Sequence, residues 1–152
     1  MKRLLVGSMV AVFLSCLAVT GFVFAKGTAA EAEAMVKKAV EFYKANGKQK
    51  ALAEISNPKG PFVKEDLYIF TLDMNGVVTG HGANEKLINK DMSNLKDVDG
   101  KLFIAECLKI AKERGKGWVD YKWSNPTTHK VEPKSTYFEK VDDIVFACGI
   151  YK

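Results

Sequence analysis

Asp73-Met74-Asn75-Gly76, set between two apolar runs, commits this chain to a β-hairpin. Leu67 to Leu72 is aromatic and β-branched, the composition of a strand buried in a sheet. Asp, Asn and Gly tolerate the dihedrals of a tight connection, so Val77-Val78-Thr79 is expected to return beside it as the second strand.

Helical patterns flank the hairpin. Thr28 followed by Glu31 has capping-box spacing, and Met35, Val36, Ala39, Val40 and Tyr43 then recur at helical intervals as far as Gly47. A shorter helix is expected through Ala51, Leu52 and Ile55, stopping before Asn57-Pro58-Lys59-Gly60-Pro61, where two prolines remove amide donors. Beyond the hairpin, Asn84 to Asp99 reads as irregular or short-helical. Phe103, Ile104, Cys107, Leu108 and Ala111 predict a further helix, with Lys109, Lys112 and Arg114 near its C-terminus, where cations suit the dipole. Trp118 to Trp123 and Ser135 to Lys140 read as strands joined by the polar loop Ser124 to Pro133, and Asp143 to Tyr151 as a final strand. This order predicts an α+β domain with a five-stranded antiparallel sheet.

At 152 residues, 47% hydrophobic and 27% charged, the chain has the make-up of one globular domain able to bury a core without staples. Met1 to Ala25 stands apart. Lys2-Arg3 is followed by an uncharged run to Phe24, and Val23-Phe24-Ala25 has small residues where a signal peptidase reads, so residues 1–25 are expected to be an export signal and 26–152 the domain. The run also reaches the ~20 residues of a membrane span, which makes an uncleaved N-terminal anchor the alternative. Both readings place the domain in the periplasm or its equivalent, with membrane contact only if the segment is retained. Without Lys2 and Arg3 the chain holds 21 basic and 18 acidic residues, a net +3 dispersed over helical faces, too mild for a nucleic-acid partner. Loss of Cys16 with the leader leaves Cys107 and Cys148, either a disulfide in an oxidising compartment or two buried thiols.

Enzyme signatures are missing from the sequence. It has no histidine pair at helical spacing, no phosphate-cradling glycine loop, no nucleophile elbow and no Cys-x-x-Cys. Asp97-Val98-Asp99-Gly100 resembles the opening of a calcium loop, but the position of the bidentate Glu is Leu108. No catalytic residue, metal or cofactor is expected.

Four stretches, Tyr68 to Val78, Lys116 to Pro126, Glu132 to Tyr137 and Cys148 to Tyr151, together resemble the single Cache domain family, second class. The resemblance runs from about Ala32 to Tyr151. It implies a PAS-like sheet with a long N-terminal helix on one face and a ligand pocket under loops and a short helix on the other. It also implies an extracytoplasmic sensor of a small molecule, here a short organic acid, read by Lys134, Tyr121, Trp123, Tyr137 and His81. A buried carboxylate requires charge and donors to offset its desolvation, which Lys134 and the aromatic groups can supply. Lys134 and Tyr137 cannot share a face of a regular strand, so a bulge, or only one of them in the pocket, is implied. His129 is expected in solvent. Many relatives have a small residue in place of Cys148 and a proline in place of Gly82, which points to an altered last strand and a looser pocket rim. With no effector following Lys152, the expectation is action through a separate partner, a membrane receptor or histidine kinase. Two other readings stay open, an accessory interaction subunit with a vestigial pocket and a weak enzyme acting on the bound acid.

Overall fold

Thr28 caps the first helix as its spacing requires. Its hydroxyl accepts from the Glu31 N–H at 3.3 Å while the Glu31 carboxylate accepts from the Thr28 N–H at 3.0 Å. The structure, a computed structural model, describes residues 26–152, so the expected export signal at residues 1–25 lies outside the described residues. Helix α1 runs Ala29–Asn46 and ends at Gly47, and α2 follows directly at Lys48–Ile55. No helix among the described residues is long and apolar enough to cross a membrane.

Six strands follow, β1 (Val63–Lys64), β2 (Leu67–Asp73), β3 (Val78–His81), β4 (Lys116–Ser124), β5 (Val131–Val141) and β6 (Ile144–Tyr151), with α3 (Phe103–Arg114) between β3 and β4. All pairings are antiparallel, in the order β1-β2-β6-β5-β4, and β3 also pairs with β2. The two-residue β1 is the strand beyond the five expected. The hairpin turn forms as its residues dictate, with the Asp73 carboxylate accepting from the Asn75 and Val77 N–H groups, both at 2.9 Å. The returning strand starts one residue late, because Val77 bridges to Asp91 in the crossover while Val78 and its successors pair with β2.

Side-chain alternation divides the core in two. Leu67, Ile69, Tyr137, Ile144, Phe146 and Cys148 face α1, where they pack on Ala32, Val36, Ala39 and Val40. Tyr68, Phe70, Leu72, Val119, Tyr121, Phe138, Val145 and Ala147 face the other way, under α3 and the crossover. A sheet buried on both faces explains why β2 is apolar at nearly every position rather than at alternate ones. Each fully buried large apolar side chain contributes ~1.5–3 kcal/mol, so both layers anchor the sheet.

The two-faced core settles the cysteines. Both thiols are free, Cys107 on the α3 side and Cys148 on the α1 side against Met35 Sδ at 3.9 Å, and the sheet lies between them. The disulfide alternative is therefore corrected to two separate buried thiols.

Strand β4 forms the outer edge of the sheet, and the loop before α3 occupies two of its open hydrogen-bonding groups. The Asp97 carboxylate accepts from the Lys122 N–H at 3.0 Å, and Lys101 Nζ donates to the Asp120 carbonyl at 2.6 Å. The turn that had the look of a calcium loop thus serves as an edge clasp.

Gly149 sits where β6 is crossed by a side chain from β5. A Cβ there would collide with Lys134 Cε and Thr136 Oγ1. Gly149→Ala is expected to cost about 1–3 kcal/mol, as overpacking a buried site does, with the urea midpoint lowered and the slope unchanged.

Candidate functional site

The polar centre of the α3-side layer is Lys134, 1% exposed. Its stem passes over Gly149, and its ammonium donates to the Tyr68 hydroxyl at 2.7 Å and the Tyr151 hydroxyl at 3.2 Å. Nζ also stands 4.1 Å from the Tyr68 ring centroid and 4.6 Å from that of Tyr151. Among the described residues no ion pair includes Lys134. Burial without a counter-ion pulls its amine down to about 7, a fall that Cys148 and Asp66 only partly oppose. The Tyr151 hydroxyl spends its own proton on the Ser124 carbonyl at 2.8 Å, so it can only accept from Lys134. The Tyr68 proton is not so committed, and burial holds that phenol well above its ordinary range, so it stays a donor.

His81 ends β3 beside Tyr68, with ring centroids 5.0 Å apart and planes 28° apart. Its Nδ1 accepts two backbone N–H groups, from Ala83 at 3.2 Å and Asn84 at 3.0 Å. That arrangement requires the neutral tautomer with the proton on Nε2, and burial, aided by Lys134, lowers its pKa to about 3. His81 therefore presents a fixed N–H donor.

Two concave spaces meet at these residues. An outer cleft of about 300 Å³ is lined by Tyr68, His81, Asn84, Leu87, Trp123, Ser124, Pro126 and His129. An inner cavity of about 20 Å³, room for one water molecule, is lined mainly by Phe70, Leu72, Val78, Met92, Phe103 and Ile104. Tyr68, His81, Leu87 and Trp123 belong to both and form the passage between them. Tyr121 closes the inner cavity, stacked on Phe103 at 4.2 Å and hydrogen-bonded to the Thr136 hydroxyl at 3.0 Å.

The structure brings four of the five expected residues together. His81, Tyr121 and Trp123 line the spaces directly, and Lys134 stands one side chain deeper, behind Tyr68. Tyr137 does not join them. Regular alternation along β5 turns Lys134, Thr136 and Phe138 to one face and Tyr137 to the other, where it packs on Trp118 at 5.3 Å and donates to Glu139. The missed members are Tyr68 and Tyr151. Periodicity puts Tyr68 on a face with Phe70 and Leu72, but only the strand register, Ile69 against Cys148 and Lys134 against Tyr151, brings it within reach of Lys134. Gly82 also departs from expectation. Its N–H donates to the Ile69 carbonyl at 2.9 Å and a Cβ would meet Val63 Cγ2 at 2.7 Å, so the rim is tight there rather than loose. His129 is exposed, as expected, although its ring borders the cleft.

An antiparallel sheet with a helix on one face and a cleft holding buried donors on the other makes an α+β domain with a cleft of small-ligand size. The profile of the single Cache domain 2 family matches residues 24–151, and the chain belongs to that family, whose members are extracytoplasmic ligand-binding sensor domains. A methyl-accepting chemotaxis protein from Vibrio parahaemolyticus superimposes with a TM-score of 0.68 at 27% identity, covering 80% of this chain and 86% of that one. A Cache chemosensory domain solved for its recognition of carboxylic acids gives 0.63 at 25% identity over 78% of this chain and 84% of that one. The methyl-accepting chemotaxis protein McpP of Pseudomonas putida is 30% identical over 88 residues, 57% of this chain but only 16% of the receptor's length.

The His81 tautomer has a measurable consequence. The unfolded chain takes up a proton near the ordinary 6.5 while the folded site resists until about 3, so stability falls as pH drops through that window. The slope attributable to this group is at most ~1.4 kcal/mol per pH unit. Nitrogen-resolved NMR is expected to show His81 neutral with Nε2 protonated at pH values where an exposed histidine is already charged, and His81→Gln is expected to flatten the slope.

Proposed function

We propose that this domain binds a short organic acid, with the carboxylate in the passage between the cleft and the inner cavity. The observation that carries the reading is the buried Lys134 ammonium, which has neutral oxygens for partners and a ligand-sized cleft beside it. A carboxylate accepting from Tyr68 Oη and His81 Nε2 would supply the missing counter-charge one hydrogen bond away. Charge-assisted bonds in a site screened from water are the strong ones. The likeness to a carboxylic-acid-binding Cache domain and the partial match to a chemotaxis receptor support the same class. The domain would report its occupied state to a membrane receptor or histidine kinase from outside the cytoplasm, delivered there by residues 1–25.

One observation favours a second reading. The inner cavity, about 20 Å³, is nearly filled by its own side chains, as in an accessory subunit whose pocket is vestigial. A thermal-shift panel of small carboxylates, amino acids and amines separates the two, since saturation at ~100 times the dissociation constant adds about 2.7 kcal/mol of stability. A carboxylate response supports the sensor; silence across the panel together with capture of a receptor supports the accessory subunit.

Lys134→Met tests the site. It removes the charge but leaves the Tyr68 and Tyr151 hydroxyls 3.4 Å apart and Tyr151 still bonded to Ser124. Carboxylate affinity is expected to fall about 10- to 100-fold, as for loss of a buried charge that acts on the ligand through the Tyr68 hydroxyl, while the melting temperature holds or rises. Full affinity in this variant would end the proposal.

The pH dependence has a definite sign. The unfolded lysine keeps its proton to 10.5 and the folded one loses it near 7, so the ligand-free domain gains stability as pH rises between those values. Anion binding needs the protonated form, so affinity is expected to weaken above about 7, by up to tenfold per pH unit, with calorimetry registering proton uptake in that range.

A further inference from the structure

Beyond the inner cavity lies a second one, of about 10 Å³, reaching Cys107, Val119, Thr136 and Phe138. The two cavities share Phe70, Phe103, Ile104 and Tyr121, so side chains alone separate them. Phe70 and Tyr121 stand on strands held by their ladders, β2 against β6 and β4 against β5. Phe103 comes from the opposite layer, the first residue of α3, and its ring lies parallel to Tyr121 at 4.2 Å with 7° between planes. Its edge meets Trp123 at 5.5 Å, on the passage to the outer cleft. The Thr136 hydroxyl, the polar side-chain group in the deeper cavity apart from the Tyr121 phenol, is already bonded to that phenol.

We propose that Phe103 is the specificity-determining residue of this site, its ring partitioning the two cavities and so limiting the apolar tail that a bound acid can carry. The inference rests on the carboxylate reading above. With the carboxylate at Tyr68 and His81, the tail points into the inner cavity and meets the Phe103 ring. Each methylene buried from water adds about fourfold to affinity until the tail meets a packed wall, after which further length is penalised. Removing the ring joins the cavities and moves the wall back to Val119 and Phe138.

The test is calorimetric titration of the protein and of Phe103→Ala with unbranched acids from acetate to hexanoate. It is run below about pH 7, where Lys134 keeps its proton. The unsubstituted protein is expected to stop gaining affinity at propionate, since the inner cavity has room for one water-sized group, whereas the variant continues to gain about fourfold per methylene through pentanoate. A second readout does not depend on acids. Cys107 borders the deeper cavity at 5% exposure, while Cys148 is wholly buried on the other face of the sheet. Methyl methanethiosulfonate is expected to label Cys107 faster in Phe103→Ala and to leave Cys148 untouched. Equal labelling of both would mean unfolding, and Phe103→Leu, which keeps most of the packing, then carries the test with an expected gain of about one methylene. An unchanged chain-length profile in a folded variant overturns the proposal. If neither protein binds any acid, the carboxylate reading falls by itself; the partition then stands if Cys107 becomes reactive and falls if it stays protected.

Discussion

A lysine ammonium surrounded by neutral oxygens organises one side of this domain. Burying such a charge costs several kcal/mol even after relaxation, and no carboxylate among the described residues pairs with it to offset that cost. The surrounding sequence bends to accommodate Lys134. Gly149 leaves space for its stem, Tyr68 and Tyr151 turn their hydroxyls toward it, and Tyr151 commits its own proton to Ser124. His81 is held neutral nearby, so the passage presents donors and no second fixed charge. An arrangement of this kind lowers the stability of the domain rather than adding to it.

The opposite side of the sheet has no such conflict. The α1 layer is an ordinary apolar interface of Ala, Val, Ile and Phe, tied at its edge by the Tyr43 hydroxyl donating to Asp142 at 2.9 Å. One strand serves both purposes by alternation, since Leu67 and Ile69 secure the scaffold while Tyr68 and Phe70 face the site. Substitutions at odd and even positions of β2 thus fall on different properties of the molecule.

Local signals made most of the fold legible in the sequence. The capping box of Thr28 and Glu31, the Asp73 turn and the apolar spacing of α3 depend on residues within a few positions of one another, and each formed as read. Strand β1 escaped notice because two residues carry no periodicity. The site was legible only in part. Lys134, His81, Tyr121 and Trp123, singled out by motif and chemistry, come together around the cleft, but Tyr68 and Tyr151 join them through the register of β2 and β5 against β6, a long-range property that no window of sequence contains. Tyr137 was misplaced because its motif neighbourhood counted for more than its parity, although strand alternation already separates it from Lys134. Gly82 was read as looseness because a missing ring suggests space, whereas the backbone of Ile55 and the Val63 side chain fill that space.

The Asp97 clasp on β4 bears on how the molecule meets its neighbours. An open sheet edge is a template onto which another chain can add a strand, and soluble proteins block such edges to avoid uncontrolled assembly. Here a carboxylate and an ammonium stand in for the missing strand, one accepting the Lys122 N–H and the other donating to the Asp120 carbonyl. Those two backbone groups are therefore not free to pair with an incoming chain. An incoming strand could not register along the middle of β4 without first displacing the clasp.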